Sequence, residues 1–307
     1  MSSDAFIFPG QGSQFPGMGK DLADNFACAR EVFQEADDAI GFNLSRLCFE
    51  GPEDQLKLTA NTQPAILATS VAALRVVQAE TGLQPVLVAG HSLGEYSALV
   101  AASAISFADA VRTVRARGTF MQEAVPVGVG AMAAILGVEP EILAAICEEA
   151  AQGEVVSPAN FNSPGQIVIA GHADAVNRAI ELAKAKGYRK AMLLPVSAPF
   201  HCSLMTPAGE RLQSALEAVP VSPLQVPVVS NVEAQANSDQ NRVKELLVKQ
   251  VSAPVRWEES VGHMVKQGIT RFVEIGPGKV LSGLVKRIEK SCETRNIDDV
   301  TTLKSLL

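Results

Sequence analysis

The chain has 307 residues, of which 47% are hydrophobic and 19% are charged, so it can bury a sizeable core without disulfides or metal ions. This composition excludes intrinsic disorder, collagen and coiled coil. Lysine and arginine number 26 against 33 aspartate and glutamate. The resulting net charge of −7 argues against nucleic acid or an anionic membrane surface as the main partner.

Cysteine usage and the apolar runs bear on the compartment. The five cysteines are widely scattered and show neither CxxC nor Cys/His spacing, so neither a disulfide framework nor a zinc site is expected. The segment MSSDAFIFPG has no basic stretch ahead of a long apolar run, and no stretch of the chain approaches about 18 uninterrupted apolar residues. These observations predict a soluble protein of the reducing cytoplasm that does not bind a membrane.

The first part of the chain predicts alternating strands and helices. A short buried-type strand, AFIF at 5–8, ends in a glycine-rich loop, and a second strand is predicted at 85–89. A tight turn at 90–94 follows this second strand. Helices are predicted at 20–40, 63–80, 95–103 and 107–124. Residues 85–103 therefore form a predicted strand-turn-helix unit.

From residue 127 the order of the predicted elements changes. Residues 127–195 predict strand, helix, two strands, helix and strand, which is the βαββαβ order of a ferredoxin-like domain. The α/β pattern then resumes, and the last fifteen or so residues are polar and expected to be loosely held. The later predicted elements are helices at 203–218, 240–250 and 279–290 and strands at 227–231 and 269–275. We therefore expect an α/β fold with a discontinuous large domain (1–126 and 196–307) and an inserted small domain (127–195).

The sharpest local motif is Gly90-His91-Ser92-Leu93-Gly94, a G-x-S-x-G between a predicted strand and a predicted helix. A nucleophile elbow holds its serine in a strained turn, so the flanking positions must lack a Cβ. The helix that follows supplies N–H groups where an oxyanion develops. The same pattern also occurs by chance as a packed turn with an idle serine. The strand-turn-helix context favours a catalytic Ser92 and a hydrolase-like large domain with a parallel sheet.

A serine nucleophile needs a base, and the chain has four histidines. His91 adjoins Ser92 and would point elsewhere, His172 falls in a predicted loop of the small domain, and His263 falls on an amphipathic helix. His201 follows a proline-punctuated segment where the chain returns from the insert. This loop position makes His201 the best candidate, with a purely structural histidine as the alternative.

Two glycine-rich segments give no support for a nucleotide cofactor. In GQGSQF at 10–15, Phe15 stands where a dinucleotide fingerprint has its third glycine. GVGAMA at 128–133 begins a predicted strand instead of ending one. No GxxxxGK[ST] sequence occurs, and GPGKV at 276–280 is too short for a P-loop. Neither a metal nor a redox cofactor is expected.

Seven motifs in order carry a resemblance to a known family. They are FPGQGSQ at 8–14, GHSLGE at 90–95, an arginine at 117, NSPGQIVIAG at 162–171, SAPFH at 197–201, QVSAPVRW at 250–257 and EIGPGKVLSGL at 274–284. With them the chain resembles, over essentially its whole length, the malonyl-CoA:acyl carrier protein transacylases of bacterial type II fatty acid synthesis. The resemblance implies transfer of malonyl from malonyl-CoA to the phosphopantetheine thiol of acyl carrier protein, through a malonyl-serine intermediate and without a cofactor.

The resemblance also implies roles for individual residues. Ser92 would be the nucleophile and His201 its general base. The backbone carbonyl of Gln250 would orient the histidine in place of an aspartate side chain. The backbone N–H groups of Gln11 and Leu93 would form the oxyanion hole.

Arg117 is the residue that the resemblance assigns to the free carboxylate of malonyl. A guanidinium can hold a carboxylate through two parallel hydrogen bonds, and such a site discriminates against acetyl. Spacing alone favours a different interpretation, because Arg112 and Arg115 lie nearby and all three could belong to a solvated helix face.

Four further residues match positions near the pocket of the family. They are Asn162, Asn231, Met121 and Met132. The methionines could equally be ordinary core residues. Phe200, just before His201, resembles the malonyl-selective pattern, so large α-branched acyl groups are disfavoured. Cys202 stands where many relatives carry serine and would be oxidisable if exposed.

The implied carrier protein is acidic, which raises the question of where it binds on a chain of negative net charge. Two basic clusters are candidates, Lys184, Lys186, Arg189 and Lys190 in the small domain and Lys279, Lys286, Arg287 and Lys290 along the last predicted helix. Each could also be an ordinary solvated face. The alternative functions are a serine thioesterase or esterase, which passes the acyl group to water, and a non-catalytic carrier-binding scaffold.

Overall fold

In the computed structural model, which describes residues 3–196 and 198–306, the strands form two sheets in a mixed α/β fold. The strands in chain order are β1 (Asp4–Phe8), β2 (Leu87–Gly90), β3 (Gly130–Leu136), β4 (Val156–Ser163), β5 (Gln166–His172), β6 (Ala191–Leu193), β7 (Val228–Val229), β8 (Ala236–Asn237), β9 (Val255–Arg256), β10 (Arg271–Ile275) and β11 (Glu293–Ile297). The helices are α1 (Lys20–Asn25), α2 (Ala27–Ile40), α3 (Leu44–Glu50), α4 (Glu53–Leu56), α5 (Thr59–Thr81), α6 (Gly94–Ala101), α7 (Phe107–Glu123), α8 (Pro140–Ala151), α9 (Ala173–Ala185), α10 (Thr206–Glu217), α11 (Val243–Ser252), α12 (Trp257–Lys266), α13 (Val280–Ile288) and α14 (Val300–Leu303).

The larger sheet has the order β11-β10-β1-β2-β7-β8 and is parallel except for β8, which pairs antiparallel with β7. All five residues of β1 are buried, as expected for a central strand covered on both faces. Phe8 at the end of β1 pairs with Gly90 at the end of β2. The glycine-rich loop and the G-x-S-x-G turn therefore leave the sheet side by side at its carboxyl edge, where open parallel sheets bind their ligands.

The smaller sheet has the order β6-β3-β5-β4-β9 and is antiparallel from β6 to β4. Alternate residues of its strands face opposite ways. Ala133 and Ile135 pack with α8 and α9 in a separate core, whereas Met132 and Val168 join the core of the larger unit. β9 comes from outside 127–195 and pairs with β4. The smaller sheet thus lies against the carboxyl edge of the larger one through its inner face.

Several predicted elements differ from the observed ones at their ends. The helix expected at 20–40 is two helices, because Phe26 is extended between α1 and α2. Short 3₁₀ helices precede α10 and α11, so the regular helices begin later than expected. The strand expected at 227–231 contracts to β7. α3 and α4 lie in a segment for which the sequence predicts no element.

Residues 293–303 form a regular strand and helix, contrary to the expectation of a loosely held end. β11 pairs with β10 along its whole length, and Ile297 and Leu303 are buried. α14 begins with a capping box formed by Asp299 and Thr302. The polar composition is that of an edge strand with one face in water, which is why the sequence pattern is misleading here.

Candidate active site

The G-x-S-x-G segment forms a sharp turn between β2 and α6. Ser92 has a φ of 50°, a left-handed conformation that residues other than glycine rarely adopt. A Cβ at Gly90 would lie 1.9 Å from the carbonyl carbon of Gly94, and a Cβ at Gly94 would lie 2.1 Å from the carbonyl oxygen of Phe8. Glycine is therefore required at both positions, as an elbow demands.

Ser92 is hydrogen-bonded to His201. Ser92 Oγ lies 2.7 Å from His201 Nε2, and His201 Nδ1 lies 2.8 Å from the backbone oxygen of Gln250. A carbonyl oxygen only accepts, so Nδ1 carries the hydrogen and donates it to Gln250. Nε2 is then the acceptor for the Ser92 hydroxyl. This geometry provides a serine with a general base that a backbone carbonyl holds in the correct tautomer.

The surroundings keep the His201 ring neutral. Burial, followed by the positive charge of Arg117, lowers the pKa of His201 to about 3, although the hydrogen bond to Gln250 acts in the opposite direction. His201 itself has a φ of 60°, a second strained backbone position beside the elbow. At pH 7 the imidazole is therefore neutral, and its Nε2 lone pair is free to accept the hydrogen bond of the Ser92 hydroxyl.

Arg117 projects from α7 into the site and is only 1% exposed. Its Nη2 donates to Ser92 Oγ at 3.1 Å and to Gln250 Oε1 at 2.9 Å, and its Nη1 donates to Gln63 Oε1 at 2.8 Å. Within residues 3–196 and 198–306, its Nε–H has no acceptor and no carboxylate forms an ion pair with it. A buried guanidinium that touches only neutral acceptors is suited to receive an anion.

Two backbone N–H groups lie next to the serine. Gln11 follows β1, Leu93 follows Ser92, and both residues line the cavity beside the Ser92 hydroxyl. In the part of the chain that the structure describes, neither backbone N–H donates to a protein acceptor. Free N–H donors at this position are what an oxyanion hole requires.

A cavity of about 120 Å³ opens beside Ser92. The predicted site residues that line it are Gln11, Ser92, Leu93, Arg117, Met121, Met132 and His201. Met121, Met132 and Phe200 are buried and form much of its apolar wall. Its size and its single cation suit a short acyl group that ends in an anion.

The other predicted site residues lie behind or beside the cavity. Asn231 Oδ1 accepts the backbone N–H of Ser92 at 2.6 Å, and its Nδ2 donates to the backbone oxygen of Gly90 at 2.7 Å, so Asn231 supports the elbow from below. Asn162 Oδ1 lies 2.9 Å from His91 Nε2, which links β4 of the smaller sheet to the elbow. The side-chain oxygen of Gln250 lies behind the cavity and accepts the hydrogen bond from Arg117 Nη2.

Three buried polar residues of the site are absent from the sequence-based set, and one of them is Asn160 of β4, which lines the cavity. Gln63, on α5, lines the cavity and contacts Arg117. Glu95, on α6, accepts hydrogen bonds from Asn231 and Gln250. Gln63 and Glu95 stand in buried helical stretches, QPAILA and EYSALVA. A glutamine or glutamate side chain in a buried helix needs several hydrogen-bond partners, and that is the signal by which the sequence could have indicated them.

The remaining candidates lie elsewhere. His172 is the last residue of β5, not part of a loop as expected, and its Nδ1 accepts a backbone N–H. His263 lies on α12, as predicted, and also accepts a backbone N–H. Arg115 donates to the backbone oxygen of Ala60 at 2.8 Å and does not line the cavity. Cys202 is buried, and burial raises the pKa of its thiol to about 11, so it is unreactive.

Comparison with known proteins places this geometry in a family. The model of the acyl transferase domain matches residues 5–305. The malonyl CoA-acyl carrier protein transacylase of Bacillus subtilis is 51% identical over 305 residues, which cover 99% of this chain and 96% of the relative. This chain belongs to that transacylase family. The enzyme of the same name from Escherichia coli K12 is 49% identical over 307 residues, covering 100% of this chain and 99% of the relative, and the resemblance seen in the motifs is thus confirmed.

Solved structures of related enzymes have the same fold as this chain over its whole length. The acyl carrier protein S-malonyltransferase of Vibrio cholerae has a TM-score of 0.97 and 50% identity, covering 100% of both chains. A malonyl-transacylase solved in complex with a type II PKS acyl-carrier protein has a TM-score of 0.97 and 48% identity, covering 100% of this chain and 99% of that one. The mixed α/β arrangement is therefore that of the malonyltransferases.

Proposed function

We propose that this chain transfers malonyl from malonyl-CoA to the phosphopantetheine thiol of an acyl carrier protein, through a malonyl group on Ser92. One observation supports the choice of acyl group above all. The buried Arg117 guanidinium lies 3.1 Å from Ser92 Oγ, lines the same cavity and touches only neutral protein acceptors. The donor and the acceptor are those that the names of the relatives state.

In the first displacement, Ser92 Oγ attacks the thioester carbonyl while His201 Nε2 takes the hydroxyl proton. The carbonyl oxygen becomes an oxyanion, which accepts hydrogen bonds from the backbone N–H groups of Gln11 and Leu93. The carbon-sulfur bond then breaks, and the leaving thiolate of coenzyme A takes the proton from His201. The malonyl group remains as an ester on Ser92.

The second displacement reverses the roles of the same groups. The carrier thiol gives its proton to His201 and attacks the ester carbonyl. The same two N–H groups then donate hydrogen bonds to the oxyanion. When the bond from carbon to Ser92 Oγ breaks, the proton on His201 returns to the serine oxygen. The carrier leaves with malonyl as a thioester, and every proton that His201 accepts is returned.

Arg117 selects the acyl group in both steps. A guanidinium can donate two parallel hydrogen bonds to the free malonyl carboxylate. The side-chain oxygens of Gln63 and Gln250 accept hydrogen bonds from the Arg117 guanidinium and fix its orientation. Phe200 and Met121 close the apolar wall, so a large branch on the α-carbon has little room. A carboxylate-bearing acyl chain of malonyl length fits these constraints.

A serine thioesterase would share the elbow and the base, and it differs only in the acceptor of the acyl group. The relatives favour transfer over hydrolysis. In the transfer reaction the malonyl ester has to persist until a thiol arrives. Incubation with malonyl-CoA alone should therefore give one rapid stoichiometric release of coenzyme A, followed by slow hydrolysis.

Intact mass spectrometry tests the nucleophile and the acyl group together. Wild-type protein mixed with malonyl-CoA should gain one malonyl group, and peptide mapping should place it on Ser92. Ser92→Ala should gain none, because no other hydroxyl among the described residues is hydrogen-bonded to a histidine. Ser97→Ala is the matched control, since Ser97 lies on α6 directly after the elbow, is buried and has no hydrogen-bond partner among the described residues. An adduct on Ser92→Ala, or sustained release of free malonate at the rate of transfer, would contradict the proposal.

The same proposal extends to the architecture. We assign 127–195 to a ferredoxin-like small domain and 1–126 with 196–307 to a hydrolase-like large domain. The strand order β6-β3-β5-β4, with α8 and α9 on one face, supports the first, and the elbow after a parallel strand supports the second. No helix among the described residues is both long and apolar enough to cross a bilayer. The cytoplasmic location stays a prediction.

A further inference from the structure

A buried hydrogen-bond network behind the cavity begins at Glu95. Glu95 is 3% exposed and lies on α6, in the first turn after the elbow. Its Oε2 accepts the backbone N–H of Asn231 at 3.0 Å and the Nε2–H of Gln250 at 2.8 Å. One carboxylate oxygen therefore holds both the residue that supports the elbow and the residue that supports the base.

Gln250 connects this carboxylate to the reacting groups. Its backbone oxygen accepts from His201 Nδ1 at 2.8 Å, its Nε2 also donates to the backbone oxygen of Ser92 at 2.9 Å, and its Oε1 accepts from Arg117 Nη2 at 2.9 Å. Gln250 is fully buried. Both ends of its amide are thus committed to partners of opposite hydrogen-bonding character.

The orientation of the Gln250 amide matters because Arg117 can only donate. With Oε1 towards Arg117, every contact joins a donor to an acceptor. If the amide were reversed, NH₂ would face the guanidinium and Oε1 would face the Glu95 carboxylate, so both contacts would be repulsive. Glu95 and the backbone oxygen of Ser92 are the two acceptors that exclude the reversed orientation, and Glu95 is the one that a side-chain substitution can remove.

Glu95 also supplies negative charge without touching the guanidinium. Its charge favours the charged form of Arg117, against the burial that lowers the pKa of Arg117. A direct ion pair would occupy the N–H groups that a substrate carboxylate needs. Placing the Gln250 amide between the two charges leaves the guanidinium available to the cavity.

We infer that Glu95 is a positioning residue for acyl transfer, which fixes the Gln250 amide and through it the guanidinium of Arg117 and the carbonyl that orients His201. The inference rests on the proposed function for the identity of the acyl group. It concerns hydrogen-bond acceptance, so a neutral acceptor of the same shape should serve in place of the carboxylate.

Single-turnover acylation of purified enzyme by malonyl-CoA and by acetyl-CoA tests the inference, with the rate expressed per active site from the amplitude of coenzyme A release. Glu95→Ala removes the acceptor and should lower the acylation rate constant for both substrates by about tenfold or more, because a buried hydrogen bond to a charged group is lost. It should also lower the malonyl:acetyl ratio of these rate constants, since Arg117 is no longer held. Glu95→Gln keeps the acceptor and should restore the acylation rate constant to within about threefold of wild type.

A matched control is Glu274→Gln. Glu274 is also fully buried, but it accepts the backbone N–H groups of Leu281 and Ser282 at the start of α13. The Glu274→Gln variant should leave the acylation rate per active site unchanged while altering thermal stability. If Glu95→Ala does not fold, Glu95→Leu fills the space with a similar volume and equally lacks an acceptor.

The outcomes are distinct. An unchanged acylation rate constant per active site in Glu95→Ala or Glu95→Leu, with only the active fraction reduced, would mean a purely structural role. A Glu95→Gln variant as slow as Glu95→Ala would mean that charge, not acceptance, is what matters, and would equally overturn the inference. Failure of the proposed function is separate, because wild-type enzyme would then form no malonyl adduct at all.

Discussion

We expect the side chain of Arg117 to decide which acyl group the site accepts. Arg117→Ala removes the partner of a desolvated carboxylate, a loss that costs about 2–5 kcal/mol, or roughly 30- to 4,000-fold in specificity constant. The apolar hollow left behind can admit an uncharged acyl group. We therefore expect malonyl transfer to fall by orders of magnitude while acetyl transfer holds or rises. The measurement is kcat/KM for malonyl-CoA and acetyl-CoA in wild type and variant.

Arg117→Lys refines this comparison. An ammonium keeps the charge but not the planar fork, so it should recover only part of the malonyl activity. A parallel decline of both substrates in Arg117→Ala would mean that Arg117 is structural and that the carboxylate binds elsewhere. Arg115 is then a poor substitute, because it is engaged with the backbone oxygen of Ala60 outside the cavity.

If His201 is the general base, as proposed, its protonation sets the acid limit of acylation. A base works only when neutral, and its activity is lost as pH falls through its pKa. Burial and Arg117 lower the pKa of His201 to about 3, so the rate should not fall near the ordinary histidine pKa of about 6.5. Burial raises the pKa of Glu95 to about 7, but its neutral form still offers an acceptor, so its protonation should change the rate little.

The pH dependence of kcat/KM reports the free enzyme and is the quantity to measure. We expect it to stay within a few-fold between about pH 8 and pH 5. A tenfold fall centred near pH 6.5 that is absent from the Glu95→Gln variant would belong to Glu95. The same fall present in both would show that His201 titrates normally and is not held neutral by burial.

At the scale of secondary structure elements, local patterns predict the elbow well and the network behind it poorly. β2, the turn and α6 follow from a short apolar run, two glycines and a helical stretch within residues 85–103, so each contact is near in sequence. The Glu95–Gln250 hydrogen bond joins residues 155 apart, and no local periodicity encodes it. The base could be chosen only by its loop position and by the family motifs, since 109 residues separate it from Ser92.

β11 is a strand that the local sequence pattern does not predict. Its sequence, ETRNI, has one strongly apolar residue, and the pattern is typical of a loose end. The strand forms because β10 offers a free edge and because Ile297 is buried beneath it. Tertiary pairing thus overrides local preference at the end of the chain, and only the neighbouring strand supplies that information.

At the scale of the whole molecule, charge distribution separates the two basic clusters. In the small unit, Lys184 pairs with Glu181 at 2.9 Å and Lys186 with Glu149 at 3.4 Å, so much of that charge is compensated. Along α13, Arg287 contacts the neutral amide of Gln166. The four basic residues of that cluster, Lys279, Lys286, Arg287 and Lys290, form no ion pair within residues 3–196 and 198–306.

The position of α13 strengthens this distinction. Leu281 and Leu284 on α13 line a crevice that also contains Gln11 and His91 of the active site, and Val280 is 54% exposed at its edge. An acidic carrier domain bound along α13 would therefore lie next to the opening through which its phosphopantetheine arm has to reach Ser92. Uncompensated charge beside an exposed apolar residue is the usual composition of a polar rim around an interface.

Charge reversal at the carboxyl end of α13 and just beyond it should therefore weaken binding of the carrier protein without affecting the chemistry. For Arg287→Glu with Lys290→Glu, we expect KM for the carrier protein to rise by about tenfold or more and to lose most of its salt dependence, because steering by opposite charges is removed. Acylation by malonyl-CoA, and transfer to free pantetheine, should stay at wild-type rates since neither residue lines the cavity.

Lys184→Glu with Lys190→Glu is the matched control, with an equal change in net charge on the other cluster. If the control raises the carrier KM and the α13 pair does not, the carrier binds against the small unit, and the arm must enter the cavity from the side of β6.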